Sequence, residues 1–506
     1  MTIPKPYSED AYYDAFKRVR NRMRKFNAEE IIILAIARLH SQKSGDLESY
    51  RRQPPWFLFL LIKWAIIYGD FAPSQRRILT DSEFNRLMNL THEVDGTLRL
   101  PTQFSNIIFF LRGMAYQQFW HQSSPGRVAI CRQSLFFRNI DKSHRFRTWF
   151  RDATGTDIDA WLDLSFLLLA GVLPEDSHFI THTFFDSVRK RFQPSQIDAF
   201  LRSVSKTPKE LKTYLTALEE EKNRNSTEFR ERTPLVRYPL INLSSRHYYY
   251  SIPVLCYSFE HYVYDTLRSY DAESFMNAFG PMFENYVRKC LDFVGIPFFS
   301  EAAIRQRSSA AKTVDFLIEE HDANILIDAK GVEMGHEGMT SHRAEIVTGQ
   351  AKSSVIKGIQ QAVETATALA VNDIKRWSRE NNFLLIVTFK DLYLGTGSDF
   401  YQYVVKDRLE RSLQASPSQS IIPLEHMYFI SIEELDYLVH ILKSSNVTLG
   451  TVLRNAVAAD REPSTKCLNL SQHLVRQFGT LKAPDYINAE FNTLIQQAMI
   501  AIDVKS

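Results

Sequence analysis

The segment from residue 313 to residue 331, TVDFLIEEHDANILIDAKG, constrains the fold of this chain more than any other stretch. Its two apolar runs, 313–320 and 324–331, are short and rich in Val, Ile and Leu, and the polar residues between them suit a turn. The pattern predicts a β-hairpin. Side chains two apart on a strand point to the same face, so we expect Asp328 and Lys330 to lie side by side.

A second acid, Asp315, belongs to the first run of the same hairpin. Strand pairing is able to bring it next to Asp328, although the sequence does not fix the register. Two adjacent carboxylates suit Mg²⁺ or Mn²⁺, since hard cations prefer oxygen ligands and Mg²⁺ retains waters for a phosphate substrate. Lys330 would then orient or activate one of those waters. The alternative is a solvated hairpin whose Asp and Lys side chains face water.

Further elements are predicted on both sides of the hairpin. Apolar residues recur at helical spacing before and after it, and Glu284 lies beside the apolar stripe of the first helix. Ser431 and Glu434 form a capping box that predicts the start of a last helix. In chain order the predicted elements are a helix at 274–295, the hairpin, a helix at 353–371, a strand at 382–389, and a strand leading into a helix at 426–442.

This order of elements and acids resembles the PD-(D/E)XK nuclease superfamily, with its restriction-endonuclease-like core. The resemblance covers roughly 273–442, well under half of the chain. Glu284 matches the acid of the first core helix and Asp315 the first motif aspartate. Asp328 and Lys330 match the acid and the lysine of the second motif.

The resemblance implies a role for each of these residues and for one more. Asp315, Asp328 and Glu284 are the implied ligands of Mg²⁺ or Mn²⁺, and Lys330 is the implied catalytic lysine. Gln360 matches the catalytic glutamine that many members carry on the following helix, with Gln361 as the alternative. Val314 stands where the proline that gives the family its name would be.

The segment 331–352 lacks clear periodicity and contains His336 and His342. It predicts a loop at the edge of the site, and loops of this length inside a compact domain are usually functional or disordered. The two histidines are candidates for phosphate contact or acid–base chemistry, although solvated loop histidines are commoner. No group of Cys and His residues has the spacing of a zinc site.

The whole chain predicts an α+β or α/β multidomain protein. Helical patterns dominate its first part, and a polar stretch at 219–233 marks a boundary. The hairpin that follows is predicted to turn at Ser244 and Ser245. The predicted parts are a mainly helical domain at 1–232, a connector hairpin and helix at 233–272, the nuclease-like domain at 273–445, and a helical C-terminal tail at 446–506.

Eight helices are predicted in the N-terminal part. Two basic clusters there, at 17–25 and 189–191, are candidates for phosphate contact, and the commoner outcome for each is a solvated helix face. The predicted helices are 9–26, 28–42, 55–68, 81–93, 103–118, 157–172, 196–204 and 208–222.

Composition excludes several classes of protein. With 506 residues, 44% hydrophobic and 24% charged, the chain is ordinary for a globular protein, and a net charge of +3 is too mild to establish nucleic-acid binding. Its four cysteines are scattered without a pairing pattern and its first residues lack the apolar core of a signal peptide, so we expect a cytoplasmic location. The apolar runs 56–69 and 158–173 contain Lys63 and Asp163, which predicts buried helices rather than membrane spans.

Two function classes follow from these patterns. The first is a Mg²⁺-dependent endonuclease with DNA as the default substrate and RNA as the runner-up. Its architecture resembles that of bacterial restriction and anti-phage defence effectors. The second is a binding or scaffold protein that keeps a nuclease-like fold without the chemistry, and the intact set of Asp315, Asp328 and Lys330 favours the enzyme.

Overall fold

The computed structural model describes residues 8–42, 47–72, 77–98, 107–122, 127–173, 177–222, 226–308, 310–413, 416 and 418–502. The predicted helix at 103–118 therefore lies partly outside the described residues. The chain divides into two compact units. The first unit comprises Met1–Phe104, Met114–Tyr270 and Ala489–Ser506, and the second comprises Ser105–Gly113 and Asp271–Asn488.

Helices occur throughout both units. In chain order the described α-helices are α1 (Glu9–Met23), α2 (Ala28–Ser41), α3 (Leu47–Arg52), α4 (Pro55–Tyr68), α5 (Asp81–Asp95), α6 (Ile107–Met114), α7 (Trp120–Gln122), α8 (Arg127–Phe137), α9 (Arg145–Thr154), α10 (Ile158–Val172), α11 (Pro194–Val204), α12 (Pro208–Lys222), α13 (Ile252–Tyr270), α14 (Ala272–Val294), α15 (Glu301–Arg307), α16 (His336–Thr340), α17 (Ala344–Ala351), α18 (Lys357–Ala370), α19 (Gly397–Phe400), α20 (Lys406–Leu413), α21 (Ile432–Ser444), α22 (Leu449–Asp460), α23 (Leu470–Phe478) and α24 (Asp485–Ile502).

The strands form one small sheet in each unit, so the protein is of mixed α and β structure. The sheet of the first unit has the order β1-β4-β3-β2, and that of the second has the order β5-β6-β7-β8-β9. The strands are β1 (Phe179–Ile180), β2 (Ser205–Lys206), β3 (Leu240–Leu243), β4 (Arg246–Tyr249), β5 (Phe299–Ser300), β6 (Phe316–Glu319), β7 (Asn324–Lys330), β8 (Asn382–Thr388) and β9 (Met427–Ser431).

The first unit buries α4 almost completely, as its apolar sequence predicts. Lys63 remains inside because its ammonium lies 2.7 Å from a carboxylate oxygen of Glu228 and 3.3 Å from one of Glu219. A buried charge is tolerated when it is paired in this way. Of the described helices, none is both long enough and apolar enough to cross a membrane.

The predicted hairpin of the first unit is confirmed. Strands β3 and β4 are antiparallel, and Ser244 and Ser245 between them have φ values of 47° and 66°. Two successive positive φ values are typical of the two-residue turns that match the twist of a hairpin. The two-residue strands β1 and β2 extend this hairpin to four strands, which the sequence pattern did not predict.

The two units divide the chain differently from the predicted segments. The connector predicted at 233–272 is mostly part of the first unit, which ends at Tyr270. The predicted C-terminal tail at 446–506 is split, because residues up to Asn488 belong to the second unit and those from Ala489 belong to the first.

The second unit contains the elements predicted around the site. Strand β6 pairs antiparallel with β7, whereas β7, β8 and β9 are parallel. Helix α14 contacts β7, and α18 contacts β7 and β8. The capping box at the start of α21 is confirmed, since Ser431 accepts a hydrogen bond from the amide of Glu434 while the Glu434 carboxylate accepts one from the amide of Ser431.

The prediction of a loop at 331–352 was wrong. Helices α16 and α17 lie within it, and a π-helical turn at Lys352–Ile356 joins α17 directly to α18. Helices of five and eight residues are too short to show a clear apolar period, which is why the sequence pattern missed them.

Candidate phosphodiesterase site

The register of the β6–β7 hairpin brings the two predicted aspartates together. Phe316 pairs with Ile327, and continuing that register by one residue places Asp315 opposite Asp328. Opposed residues of an antiparallel pair point to the same face of the sheet. The carboxylate of Asp315 is also fixed by the backbone, since its Oδ2 accepts a hydrogen bond of 2.6 Å from the amide of Ala329.

Asp328 lies on β7 and is completely buried. Its Oδ2 is 2.7 Å from Nζ of Lys330, two residues along the same strand. Neither of its oxygens accepts a conventional hydrogen bond among the described residues, and its polar contacts there are the Lys330 ammonium and the neighbouring Asp315 carboxyl. Burying a carboxylate oxygen without a hydrogen-bond donor costs free energy of folding. A cation bound at this carboxylate would offset that cost.

Burial raises the pKa of both acids. Burial, together with the adjacent Asp328 charge, raises the pKa of Asp315 to about 7 against the opposing effects of the Ala329 amide and the Lys330 ammonium. Burial also raises the pKa of Asp328, while Lys330 favours its ionised form. At neutral pH the pair therefore tends to retain a proton that a bound cation would displace.

Helix α18 approaches this pair through a glycine. A Cβ atom built on Gly358 would lie 2.5 Å from Oδ2 of Asp328, closer than any side chain tolerates. Only a residue without a side chain allows the helix to pack this closely against the carboxylate. The role of Gly358 was not predictable from the sequence, because a single glycine within a helical pattern gives no specific signal.

The structure brings Gln361, rather than Gln360, to the site. Nζ of Lys330 lies 3.3 Å from Oε1 of Gln361, whose Nε2 donates a hydrogen bond of 3.1 Å to the carbonyl of Thr313. Gln360 is exposed and donates to Glu364 instead, at 2.8 Å. Consecutive residues of a helix point about 100° apart, so only one of the two glutamines faces the strands.

Glu284 stands at the margin of the site. It is half-buried on α14, 3.6 Å from Arg288, and its charge contributes the smallest of the effects that raise the pKa of Asp315. Within the described part of the chain, no three or more His, Cys, Asp or Glu side chains are grouped so as to hold a metal ion. Asp315 and Asp328 alone still fit Mg²⁺, which commonly binds one or two carboxylates and retains several waters.

The predicted histidines lie beyond the end of β7. His336 is the first residue of α16, and His342 lies between α16 and α17.

A buried ion pair that was not predicted from the sequence lies just after the ends of strands β7 and β8. Nζ of Lys390, just after β8, lies 2.5 Å from a carboxylate oxygen of Glu333, just after β7, and both side chains are at most one-tenth exposed.

The basic clusters of the first unit are partly neutralised by acids of the same unit. Arg18 pairs with Glu93 at 2.7 Å, and Arg22 pairs with Glu83. In the second cluster, the guanidinium of Arg191 lies 2.8 Å from the buried Asp163. These arginines therefore have structural partners, which reduces the charge that either cluster offers to a phosphate backbone.

Comparison of the chain with protein-family models, with curated proteins and with solved structures finds no match. The interpretation of the site therefore depends on the residues of this chain and on their geometry.

Proposed function

We propose that this protein is a Mg²⁺-dependent phosphodiesterase that cleaves nucleic acid at Asp315, Asp328 and Lys330. The observation that carries the proposal is the buried Asp328, whose carboxylate lies 2.7 Å from the Lys330 ammonium and beside the Asp315 carboxyl, with no conventional donor on either oxygen among the described residues. A lysine held at a buried pair of acids suits a reaction in which a cation binds and a water attacks phosphorus.

Asp315 and Asp328 would hold the cation, and Asp315 would lose its proton in doing so. When bound, Mg²⁺ supplies electrostatic stabilisation of the charge that develops on the phosphate oxygens and on the leaving group. The amide of Ala329 fixes the Asp315 carboxylate, so the ligand is already oriented before the cation arrives.

Lys330 would orient the attacking water. Its ammonium is held between Asp328 and Gln361, and Gln361 is itself anchored to the carbonyl of Thr313. Only about one-sixth of the Lys330 side chain is exposed, which limits the positions that the ammonium samples. Gln361 thus acts in this proposal as a positioning residue, and Glu284 as an outer acid that adds negative charge near Asp315.

DNA is the first substrate to test and RNA is the second. A cytoplasmic role in bacterial anti-phage defence is part of the same proposal, supported by the resemblance of the motif. The catalytically inactive binding or scaffold protein is the outcome to expect if the site does not cleave.

The decisive assay incubates the purified full-length protein with plasmid, single-stranded DNA and RNA, in Mg²⁺ or in EDTA. The proposal predicts cleavage of at least one substrate in Mg²⁺, none in EDTA, and none by the Asp328→Asn variant. Binding of nucleic acid without cleavage under all conditions would instead support the inactive binding protein.

A further inference from the structure

Helix α18 and the π-helical turn before it carry two exposed lysines, one of them next to Gly358. Lys352 and Lys357 are both exposed, and neither has an ion-pair partner among the described residues. In a π-helical turn the backbone hydrogen bonds join residues five apart. Lys357 therefore lies approximately one helical turn after Lys352 in the continuous helix that the π-helical segment Lys352–Ile356 forms with α18.

The position of Lys357 relative to Asp328 is set by its neighbour. Gly358 packs directly against the Asp328 carboxylate, so the backbone that carries Lys357 is held at the edge of the site. The side chain of Lys357 is exposed although its backbone is fixed in this way. An exposed cation next to a buried acid pair is well placed for an anion that approaches the pair from solvent.

Electrostatics agrees with this placement. The positive charge of Lys357 lowers the pKa of Asp328, whereas burial raises it. The ammonium is thus close enough to act on the carboxylate without forming an ion pair with it. Lys330 is already occupied by Asp328 and Gln361, whereas Lys357 is an exposed cation near the acids that is available to a phosphate.

We propose that Lys357, assisted by Lys352, binds the phosphodiester backbone of the substrate strand and positions it over Asp315 and Asp328. This inference depends on the proposed function and adds to it a substrate-binding surface on α18. The contact is with backbone phosphate, so it is independent of base sequence and of the difference between DNA and RNA.

The inference is tested by measuring binding to a 20-nucleotide single strand that carries a 5′ fluorescent label. Fluorescence anisotropy gives the Kd in EDTA over a range of salt concentrations. One lost phosphate contact on a single strand reduces the salt slope by about 0.7, which at 0.1 M salt is roughly a fivefold increase in Kd. We expect this change for Lys357→Ala and a larger one for the Lys352→Ala, Lys357→Ala double variant. Lys357→Arg should restore binding, because Arg keeps the charge.

Lys375 provides the matched control. It is an exposed lysine of the same unit, five residues after the end of α18, and it likewise has no ion-pair partner in the described chain. Lys375→Ala should leave Kd and the salt slope unchanged. In the cleavage assay, Lys357→Ala should raise KM by a similar factor and change kcat much less.

The outcomes separate the two proposals. If wild type cleaves and Lys357→Ala retains the wild-type Kd, salt slope and KM, the surface on α18 is wrong and the nuclease proposal stands. If wild type does not cleave but Lys357→Ala weakens binding, the surface stands and the nuclease proposal fails. If wild type neither binds nor cleaves any nucleic acid, both proposals are wrong.

Discussion

Gly358 and Asp328 lie so close that a single methyl group does not fit between them, since a Cβ atom at Gly358 would meet the carboxylate oxygen at 2.5 Å. The second neighbour of that Cβ atom would be the side chain of Ile386 on β8, at 3.0 Å. Helix α18, the Asp328 carboxylate and strand β8 therefore constrain one another, and any side chain at 358 has to displace one of them.

Gly358→Ala should consequently reduce cleavage strongly, by about tenfold or more, because a small displacement of a catalytic group has a large effect on rate. Gly349→Ala is the control. Gly349 is an exposed residue of α17, and a Cβ atom there would have no other atom within 4 Å. That variant should keep full activity and gain up to about 1 kcal/mol of stability, since Ala is a better helix former than Gly. Equal activity of the two variants would show that the Asp328 position is not critical.

Asp315→Asn should stabilise the protein without metal, increasingly as the pH rises. The folded chain holds the Asp315 proton up to a pH of about 7, whereas an ordinary Asp releases it near 3.8. Wild type therefore loses stability as the pH rises through this range, and Asn has no proton to lose. Denaturant unfolding at pH 5 and pH 8.5 should show a variant advantage of between about 1 and 4 kcal/mol at the higher pH. A constant difference at both pH values would contradict the raised pKa.

Lys390→Ala should destabilise the second unit by about 3 to 5 kcal/mol, because it removes the ammonium that pairs with the buried Glu333 carboxylate. The exposed pair of Arg305 and Glu301 in the same unit is the control. Arg305→Ala should change stability by no more than about 1 kcal/mol. Chemical denaturation of both variants measures the difference, and a loss at Lys390 no larger than that at Arg305 would refute the importance of the buried pair.

The sequence predicted those parts of the site that follow from a period of two along a strand. Asp328 and Lys330 share a face of β7 because they are two residues apart, and the apolar runs were sufficient to predict the hairpin itself. The pairing of Asp315 with Asp328 was not predictable, since a shift of one residue in register would have turned the acids to opposite faces.

The other differences between the predicted and the observed structure also arise from contacts that the local sequence does not determine. Gln360 and Gln361 are adjacent in sequence, and the packing of α18 against β7 and β8 decides which of them faces Lys330. Strands β1 and β2 have two residues each, too few to show any period, so the sheet of the first unit was not predicted. Lys390 and Glu333 are 57 residues apart in the sequence, and no local sequence pattern links them.

The measurement that tests the central claim most directly combines cleavage with metal binding in three variants, Lys330→Ala, Asp328→Ala and Asp322→Ala. Asp322 lies in the turn of the same hairpin, where it pairs with Arg454 at 2.8 Å, so its replacement controls for effects on the hairpin. Metal binding is measured as the rise in Tm with Mg²⁺ or Mn²⁺ at pH 8.

Asp322→Ala should cleave nucleic acid and bind metal as wild type does. Lys330→Ala should lose cleavage but keep the rise in Tm, whereas Asp328→Ala should lose both, because it removes an anionic oxygen ligand. Cleavage by Lys330→Ala and Asp328→Ala at the wild-type rate in Mg²⁺ would contradict the assignment of the phosphodiesterase site.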